Sequence, residues 1–189
     1  LSGEQTGDRP KLKFSNNGII TSRSSSSDSK ASYPLYFENI AMELIPQLCI
    51  EAGSIYFDNV FSRLDVTTAQ NLGSTPIKSS GLFKVERSEI HLWIRNSTSY
   101  ICYCGIDCTT IEVDDSSISL QNECSSTQGA GGDDLNFIYN TDATGYIRNS
   151  KLTGQGNGRT NFINGKVTID ECDITLKNRN HSLCHYTTN

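Results

Sequence analysis

The sequence predicts an all-β fold, a parallel β-helix of about six to seven coils, and three observations support this. An eight-residue pattern recurs, in which an apolar residue, two polar residues and a small residue precede alternating polar and apolar residues. Strand-forming residues fill the copies, while Gly, Asn, Ser and Asp fill the intervals between them. No segment sustains the 3.6-residue period of a capped helix; the nearest, at residues 40–45, is ended by Pro46.

The spacing of the copies is that of a solenoid. The seven copies, of which the last four are the closest matches, start at Phe14, Phe37, Phe57, Val85, Val113, Ile147 and Ile169. The intervals run from 20 residues (37 to 57) to 34 residues (113 to 147). Repeats of this length indicate units that bury their apolar faces against their neighbours.

Each copy predicts two short strands joined by a bend. Its last three residues alternate as in a strand with one buried face, and the polar pair with the small residue breaks that alternation. Asn39, Asn59 and Asn149 at the third position favour a bend, because Asn tolerates the left-handed backbone conformation. Further strands are predicted once per unit, at residues 100–103, 136–139, 161–164 and 183–186.

Composition indicates one domain over residues 1–189, with an irregular lead-in at residues 1–10. The net charge of −5 argues against nucleic acid as a partner, since that needs clustered Lys and Arg. No window approaches 18 apolar residues, which predicts no membrane insertion. The start at Leu1 and a final strand with no following pattern predict a fragment of a longer chain.

The seven cysteines predict reduced thiols, because the count is odd and suggests no regular disulfide framework. Cys102, Cys104 and Cys108 could suggest a metal site, but their spacing lacks the separation and the fourth ligand of a zinc site. Cys172 occupies the small-residue slot that serine fills in other copies. Buried thiols are therefore favoured, and neither a metal nor another cofactor is expected.

The residues also resemble a known family. The run Ile147-Arg148-Asn149-Ser150-Lys151-Leu152 is similar to the coil repeat of pectate-lyase-like right-handed β-helices. The uneven coil lengths and the surface rich in Ser, Thr and Asn look most like bacteriophage tailspike and tail-fibre proteins. The resemblance covers roughly residues 10 to 189. It implies a right-handed helix and a homotrimer, but the motif specifies geometry rather than chemistry.

Irregular excursions between the strands predict where a ligand could bind. They are expected at residues 67–80, 95–99, 121–134 and 153–160. Long loops on a rigid scaffold often carry function, and loops leaving at equivalent corners would wall a groove across the coils.

Five residues are predicted to bind a sugar, because sugar recognition combines aromatic faces with polar side chains. Trp93 should lie alongside His91 and opposite Leu92, although core packing of Trp93 is an equal alternative. The other three candidates are Arg95, Tyr103 and Tyr139.

Catalysis, if present, is predicted at the acidic residues Glu86, Asp114 and Asp115. Glycoside hydrolysis needs two carboxylates about 5–9.5 Å apart, a requirement that adjacent coils meet easily. A lyase would instead need a base and a group that stabilises an enolate, and Arg87, His91 and Arg95 could supply them. The repulsion expected in a column of acidic residues would be offset locally by Arg87.

Together with the candidate residues, the resemblance implies a tailspike-like or tail-fibre-like segment that binds a host cell-surface polysaccharide and, if it is an enzyme, degrades it. One alternative is a free polysaccharide lyase or hydrolase; another is a structural shaft or adhesin segment without a ligand site. The first hypothesis places the protein in the virion tail, made in a reducing host cytoplasm. The alternatives place it outside the cell or at the cell surface.

Overall fold

The computed structural model describes residues 10–13, 18–22, 33–43, 48–68, 77–96, 104–122, 135–138, 142–156, 159–163, 165–177 and 180–184. These residues form twenty β-strands, and the described part of the chain contains no helix. Every strand pairing is parallel, and the strands make three sheets. The predicted all-β class with parallel strands is confirmed.

The three sheets contain seven, seven and six strands. Sheet A comprises β1 (Lys11–Lys13), β4 (Ala41–Glu43), β7 (Phe61–Thr68), β10 (Glu89–Asn96), β13 (Ser117–Asn122), β16 (Lys151–Gly156) and β19 (Asp173–Lys177). Sheet B comprises β2 (Gly18–Thr21), β5 (Leu48–Ala52), β8 (Ile77–Ser79), β11 (Cys104–Asp107), β14 (Leu135–Ile138), β17 (Arg159–Ile163) and β20 (Asn180–Cys184). Sheet C comprises β3 (Pro34–Glu38), β6 (Ser54–Asp58), β9 (Leu82–Glu86), β12 (Thr110–Asp114), β15 (Thr144–Arg148) and β18 (Lys166–Asp170).

The chain visits the sheets in the fixed order A, B, C, and each strand pairs with the strand three places further on. We call a sheet C strand with the following strands of sheets A and B one repeat. The eight-residue pattern spans the end of a sheet C strand, a bend, and the start of the next sheet A strand. Predicted strands at 136–139, 161–164 and 183–186 overlap β14, β17 and β20, while 100–103 lies outside the described residues.

The bend between sheets C and A is left-handed at the third position of the pattern. All six described bends have this residue at φ between 45° and 53°; these residues are Asn39, Asn59, Arg87, Asp115, Asn149 and Glu171. Asn and Asp tolerate this conformation better than other non-glycine residues. The prediction from the three Asn residues is confirmed, and the same geometry extends to Arg and Glu.

A ladder of buried serines closes the bends. The Ser88 Oγ accepts a 3.0 Å hydrogen bond from the Val60 backbone N–H, and the Ser116 Oγ accepts one of 3.1 Å from Ser88. The Ser150 Oγ accepts a 3.1 Å bond from Ser116. Each hydroxyl also donates to the backbone carbonyl two residues earlier, at 2.6–2.7 Å. Cys172 donates to the Asp170 carbonyl in the same way, so the small-residue slot holds a hydrogen-bonding group.

Replacing Ser116 with alanine is expected to lower the free energy of unfolding by about 1–3 kcal/mol, because the buried Ser88 N–H loses its acceptor. Urea denaturation followed by circular dichroism measures this difference. Ser117→Ala is the matched control, because Ser117 is the half-buried next residue in the chain. Equal losses in the two variants would show that the ladder does not contribute to stability.

The core is built from inward-facing columns that run across the repeats. Ile55, Phe83 and Ile111 are in register in sheet C and are fully buried. Phe83 also makes an edge-to-face contact with Phe57 at 5.6 Å between ring centroids. One hydrophobic cluster joins buried residues of all three sheets. Gly145 takes the next place in the Ile111 column and has a φ of 131°.

All four predicted excursions overlap strands at their boundaries. Residues 67–68 belong to β7, 77–79 to β8, 95–96 to β10 and 159–160 to β17. Residues 121–122 belong to β13, and residues 153–156 belong to β16 despite two glycines. Both segments pair in register with neighbouring strands, and this pairing overrides the weak strand preference of glycine. Residues 69–76, 97–103, 123–134 and 157–158 lie outside the described residues.

Candidate functional site

The outer face of sheet A carries the predicted residues His91 and Trp93. Side chains alternate along a strand, so the buried Leu92 leaves these two neighbours on the opposite face. Two outward columns result from the strand register. The first runs through Arg63, His91, Ser119, Thr153 and Thr175, and the second through Trp93, Gln121, Gln155 and Lys177.

Both columns continue into a depression of about 440 Å³ in sheet A. We call it the sheet A depression; its outward-facing lining residues are Ser119, Gln121, Lys151, Thr153, Gln155, Thr175 and Lys177. The side chains supply hydroxyl, amide and ammonium groups. Such groups exchange hydrogen bonds with sugar hydroxyls, and the ammonium groups attract anions.

His91 and Trp93 lie one repeat before this depression. Each is half-buried, and the indole Nε1 of Trp93 is shielded from solvent. The His91 Nδ1 lies 2.5 Å from the Ser119 Oγ, and its Nε2 lies 2.6 Å from the Glu89 Oε1. His91 also packs against Phe61, with 5.7 Å between the ring centroids. These contacts fix the orientation of the imidazole at the edge of the depression.

The other predicted ligand-binding residues are less well located. Arg95 belongs to β10 and its backbone pairs with Thr67, but its side chain lies outside the described part. Tyr103 and Tyr139 lie outside the described residues. Their predicted roles remain predictions.

The predicted catalytic carboxylates lie on a different sheet from the depression. Glu86 and Asp114 are register neighbours at the ends of β9 and β12, and Asp115 follows at the bend with a φ of 45°. Asp114 accepts bonds of 2.9 and 2.7 Å from Arg148 and one of 2.9 Å from Asn149. These contacts lower the pKa of Asp114, with the Arg148 bond the largest cause, whereas a general acid needs a raised pKa.

Arginines one repeat further along the chain offset the acidic column of sheet C. Arg87 binds both carboxylate oxygens of Asp58, at 2.5 and 2.6 Å, and Arg148 binds Asp114. Glu86 pairs within its own strand with Lys84, at 3.0 Å. The predicted compensation by Arg87 is present, and its partner belongs to the preceding repeat.

The pH dependence of stability should reveal the Asp114 pairing. The pKa of Asp114 in the folded state lies below the ordinary value of 3.8. The paired carboxylate therefore makes its full contribution to stability at pH values above 3.8. This contribution is lost as pH falls through the folded-state pKa. Asp114→Asn should therefore shift the urea midpoint slightly downward at pH 7, with the two curves converging at lower pH. A gap of constant size from pH 7 to pH 2 would contradict this assignment.

Glu89 and Ser119, the two hydrogen-bonding partners of His91, were not identified from the sequence. Glu89 and His91 occupy the fifth and seventh positions of one copy, and Ser119 is the seventh position of the next copy. Because His91 and Ser119 share the seventh position of successive copies, aligning the copies would have predicted that they are neighbours. Outside this site, on sheet C, Tyr36 and Tyr56 precede two successive copies; their rings stack with 4.5 Å between the centroids, and Tyr36 is 61% exposed.

The described thiols and acidic groups do not assemble a metal centre. No group of three His, Cys, Asp or Glu residues in the described ranges could hold a metal ion. Cys108 is buried, and that burial raises the pKa of its thiol to about 12. It packs as a small apolar group, as expected for a buried thiol. Within the same ranges, no helix has the length and apolar character needed to cross a membrane.

Comparisons with known proteins give no family for this chain. No protein-family model, curated protein or solved structure matches it. The function therefore has to be inferred from the side chains on the outer face of sheet A and from the repeat pattern.

Proposed function

We propose that the three sheets wrap around the shared core as a right-handed parallel β-helix of six to seven coils. The fixed order of the sheets and the pairing of every third strand support this. The hand follows from the strong general preference for right-handed crossovers between parallel strands of one sheet. On this proposal the chain is a segment of a tailspike-like or tail-fibre-like protein, located in the virion tail.

Its function is to bind a host cell-surface polysaccharide on the outer face of sheet A. The observation that carries this proposal is the sheet A depression, whose polar columns continue into His91 and Trp93. Register neighbours lie about 4.8 Å apart, so an extended polymer crossing the strands meets similar groups at every repeat. The paired backbone of the sheet holds these groups at fixed spacings, so that binding has to order only their side chains.

The charge of the depression favours an anionic glycan. Lys151 and Lys177 are exposed and line it together with Gln121 and Gln155. Amide side chains pair with sugar hydroxyls through both donor and acceptor groups, and the lysines add attraction for carboxylates. The ring of Trp93 offers an apolar face against which a pyranose can pack.

A glycan array followed by calorimetry on the best ligand tests the proposal. Lys177→Ala combined with Gln155→Ala should weaken binding by about tenfold or more, since each lost hydrogen bond contributes roughly 0.5–3 kcal/mol. Tyr36→Ala, on sheet C, is the control and should bind normally. Binding lost with Tyr36→Ala but kept in the double variant would move the site to sheet C. Absence of binding to any glycan would favour the structural shaft.

The same proposal implies a homotrimer, which the resemblance to tailspikes suggests. Light scattering after size exclusion should then give a mass near three times 20.8 kDa. A monomer that binds and cleaves glycan would instead favour the free lyase or hydrolase.

A further inference from the structure

Glu89, His91 and Ser119 form a hydrogen-bonded chain on the outer face of sheet A. The Ser119 Oγ lies 2.5 Å from the His91 Nδ1, and the Glu89 Oε1 lies 2.6 Å from the His91 Nε2. His91 and Ser119 are register partners on β10 and β13, and Glu89 lies two residues before His91 on the same face. The sheet backbone therefore fixes all three positions.

The hydrogen-bonding roles in this chain follow from the chemistry of its members. An ionised carboxylate can only accept a hydrogen bond, so the His91 Nε2 facing Glu89 carries the proton. In the neutral imidazole the Nδ1 then holds a lone pair, and that atom faces the Ser119 hydroxyl. A hydroxyl beside a base that a third group orients is the arrangement of an activated serine nucleophile.

The location of Ser119 suggests which substrate it would meet. Ser119 lines the sheet A depression, and its partners His91 and Glu89 have side chains only 36% and 46% exposed. Lys151 lines the same depression and brings a positive charge, the kind of group that stabilises an oxyanion. A nucleophile on an open sheet face can reach a group that projects from a polymer.

We propose that Ser119 and His91 hydrolyse acyl esters carried by a polysaccharide bound in the sheet A depression, with Glu89 as a positioning residue. The identity of the polymer rests on the proposed function above; the ester chemistry of Ser119 does not. This site is distinct from the carboxylates Glu86 and Asp114 on sheet C.

The reaction has two balanced steps. The Ser119 Oγ attacks the ester carbonyl carbon while its proton passes to the His91 Nδ1. The bond between that carbon and the sugar oxygen then breaks, and His91 gives the proton to that oxygen, which leaves as a free sugar hydroxyl. In the second step water attacks the acyl-serine, again giving its proton to His91. The bond to Ser119 breaks, the hydroxyl regains a proton, and a carboxylic acid leaves.

Labelling with a fluorophosphonate and hydrolysis of p-nitrophenyl acetate test this chemistry without any glycan. Intact mass should show one adduct on the wild type, located at Ser119 by peptide mapping, and none on Ser119→Ala. Hydrolysis should fall about 100-fold or more in Ser119→Ala and His91→Gln. Ser117→Ala is the matched control, on the same strand two residues earlier, and should retain both labelling and rate.

The positioning role of Glu89 needs a separate readout. Glu89→Gln should lower kcat about 10- to 100-fold with little change in KM, because it disturbs the orientation of the base rather than the binding of the ester. Circular dichroism confirms that each variant is folded. An unchanged kcat in Glu89→Gln would overturn the positioning role.

The two proposals can fail separately. A wild-type protein that neither reacts with the probe nor hydrolyses the ester would overturn the esterase, even if it binds glycan. Labelling at Ser119 in a protein that binds no glycan would uphold the serine chemistry and overturn the polysaccharide function. Retained hydrolysis in Ser119→Ala would also overturn the assignment.

Discussion

Substituting Gly145 with valine is expected to remove about 4 kcal/mol or more of the free energy of unfolding. A Cβ on Gly145 would lie 1.8 Å from the backbone oxygen of Ile111, on the neighbouring strand β12. Backbone held in a sheet cannot move aside as a flexible side chain can. The φ of 131° is also one that side-chain-bearing residues rarely adopt.

This loss is comparable with the whole stability of many domains, so the variant should be largely unfolded at 37 °C. Urea denaturation monitored by circular dichroism measures it, with solubility on expression as a second readout. Thr144→Val is the matched control, because Thr144 is the exposed neighbour on the same strand. A Gly145→Val protein as stable as that control would mean that β12 and β15 are spaced differently from this structure.

Phe83→Ala is expected to lower the free energy of unfolding by about 3–5 kcal/mol. Phe83 is fully buried between Ile55 and Ile111 in the sheet C register and contacts Phe57 edge to face. Truncation leaves a cavity that the neighbouring repeats cannot fill, because β-ladders fix their separation. The lost aromatic pair adds to the transfer term.

Thermal and urea unfolding measure this loss, and two variants on β3, a strand of the same sheet, calibrate it. Phe37→Ala should cost less, because Phe37 is half-buried at the edge of the core. Tyr36→Ala should cost least, because that side chain is 61% exposed. A different order of the three costs would contradict the placement of the core between the sheets.

The fold class followed from the sequence because the pattern encodes local geometry directly. The alternation gives the inward and outward faces, and the residue at the third position gives the left-handed bend. The small slot at Ser88, Ser116 and Ser150 was visible as a pattern. The hydrogen bonds between these serines could not be predicted, because they join residues that lie 28 and 34 positions apart in the chain.

The candidate site could be predicted only in part, for the same reason. Alternation was enough to place His91 and Trp93 on one face. The pairing of His91 with Ser119 could have been found by aligning the copies, because both residues hold the seventh position of successive copies, but alternation within one strand does not show it. The strand through Gly154 was missed because glycine signals a loop by composition, whereas ladder pairing decides the outcome. Gly145 was missed because its backbone conformation leaves no pattern in one sequence.

The emission of Trp93 offers the most direct test of the sheet A site, because it is the only tryptophan in the chain. Titration with the best glycan should give a saturable change in emission with the Kd found by calorimetry. Lys177→Ala should raise the Kd from emission and the Kd from calorimetry by the same factor. Tyr36→Ala should leave both Kd values unchanged. Calorimetric binding with no change in the Trp93 emission would contradict the account, in which the glycan extends from the depression to Trp93.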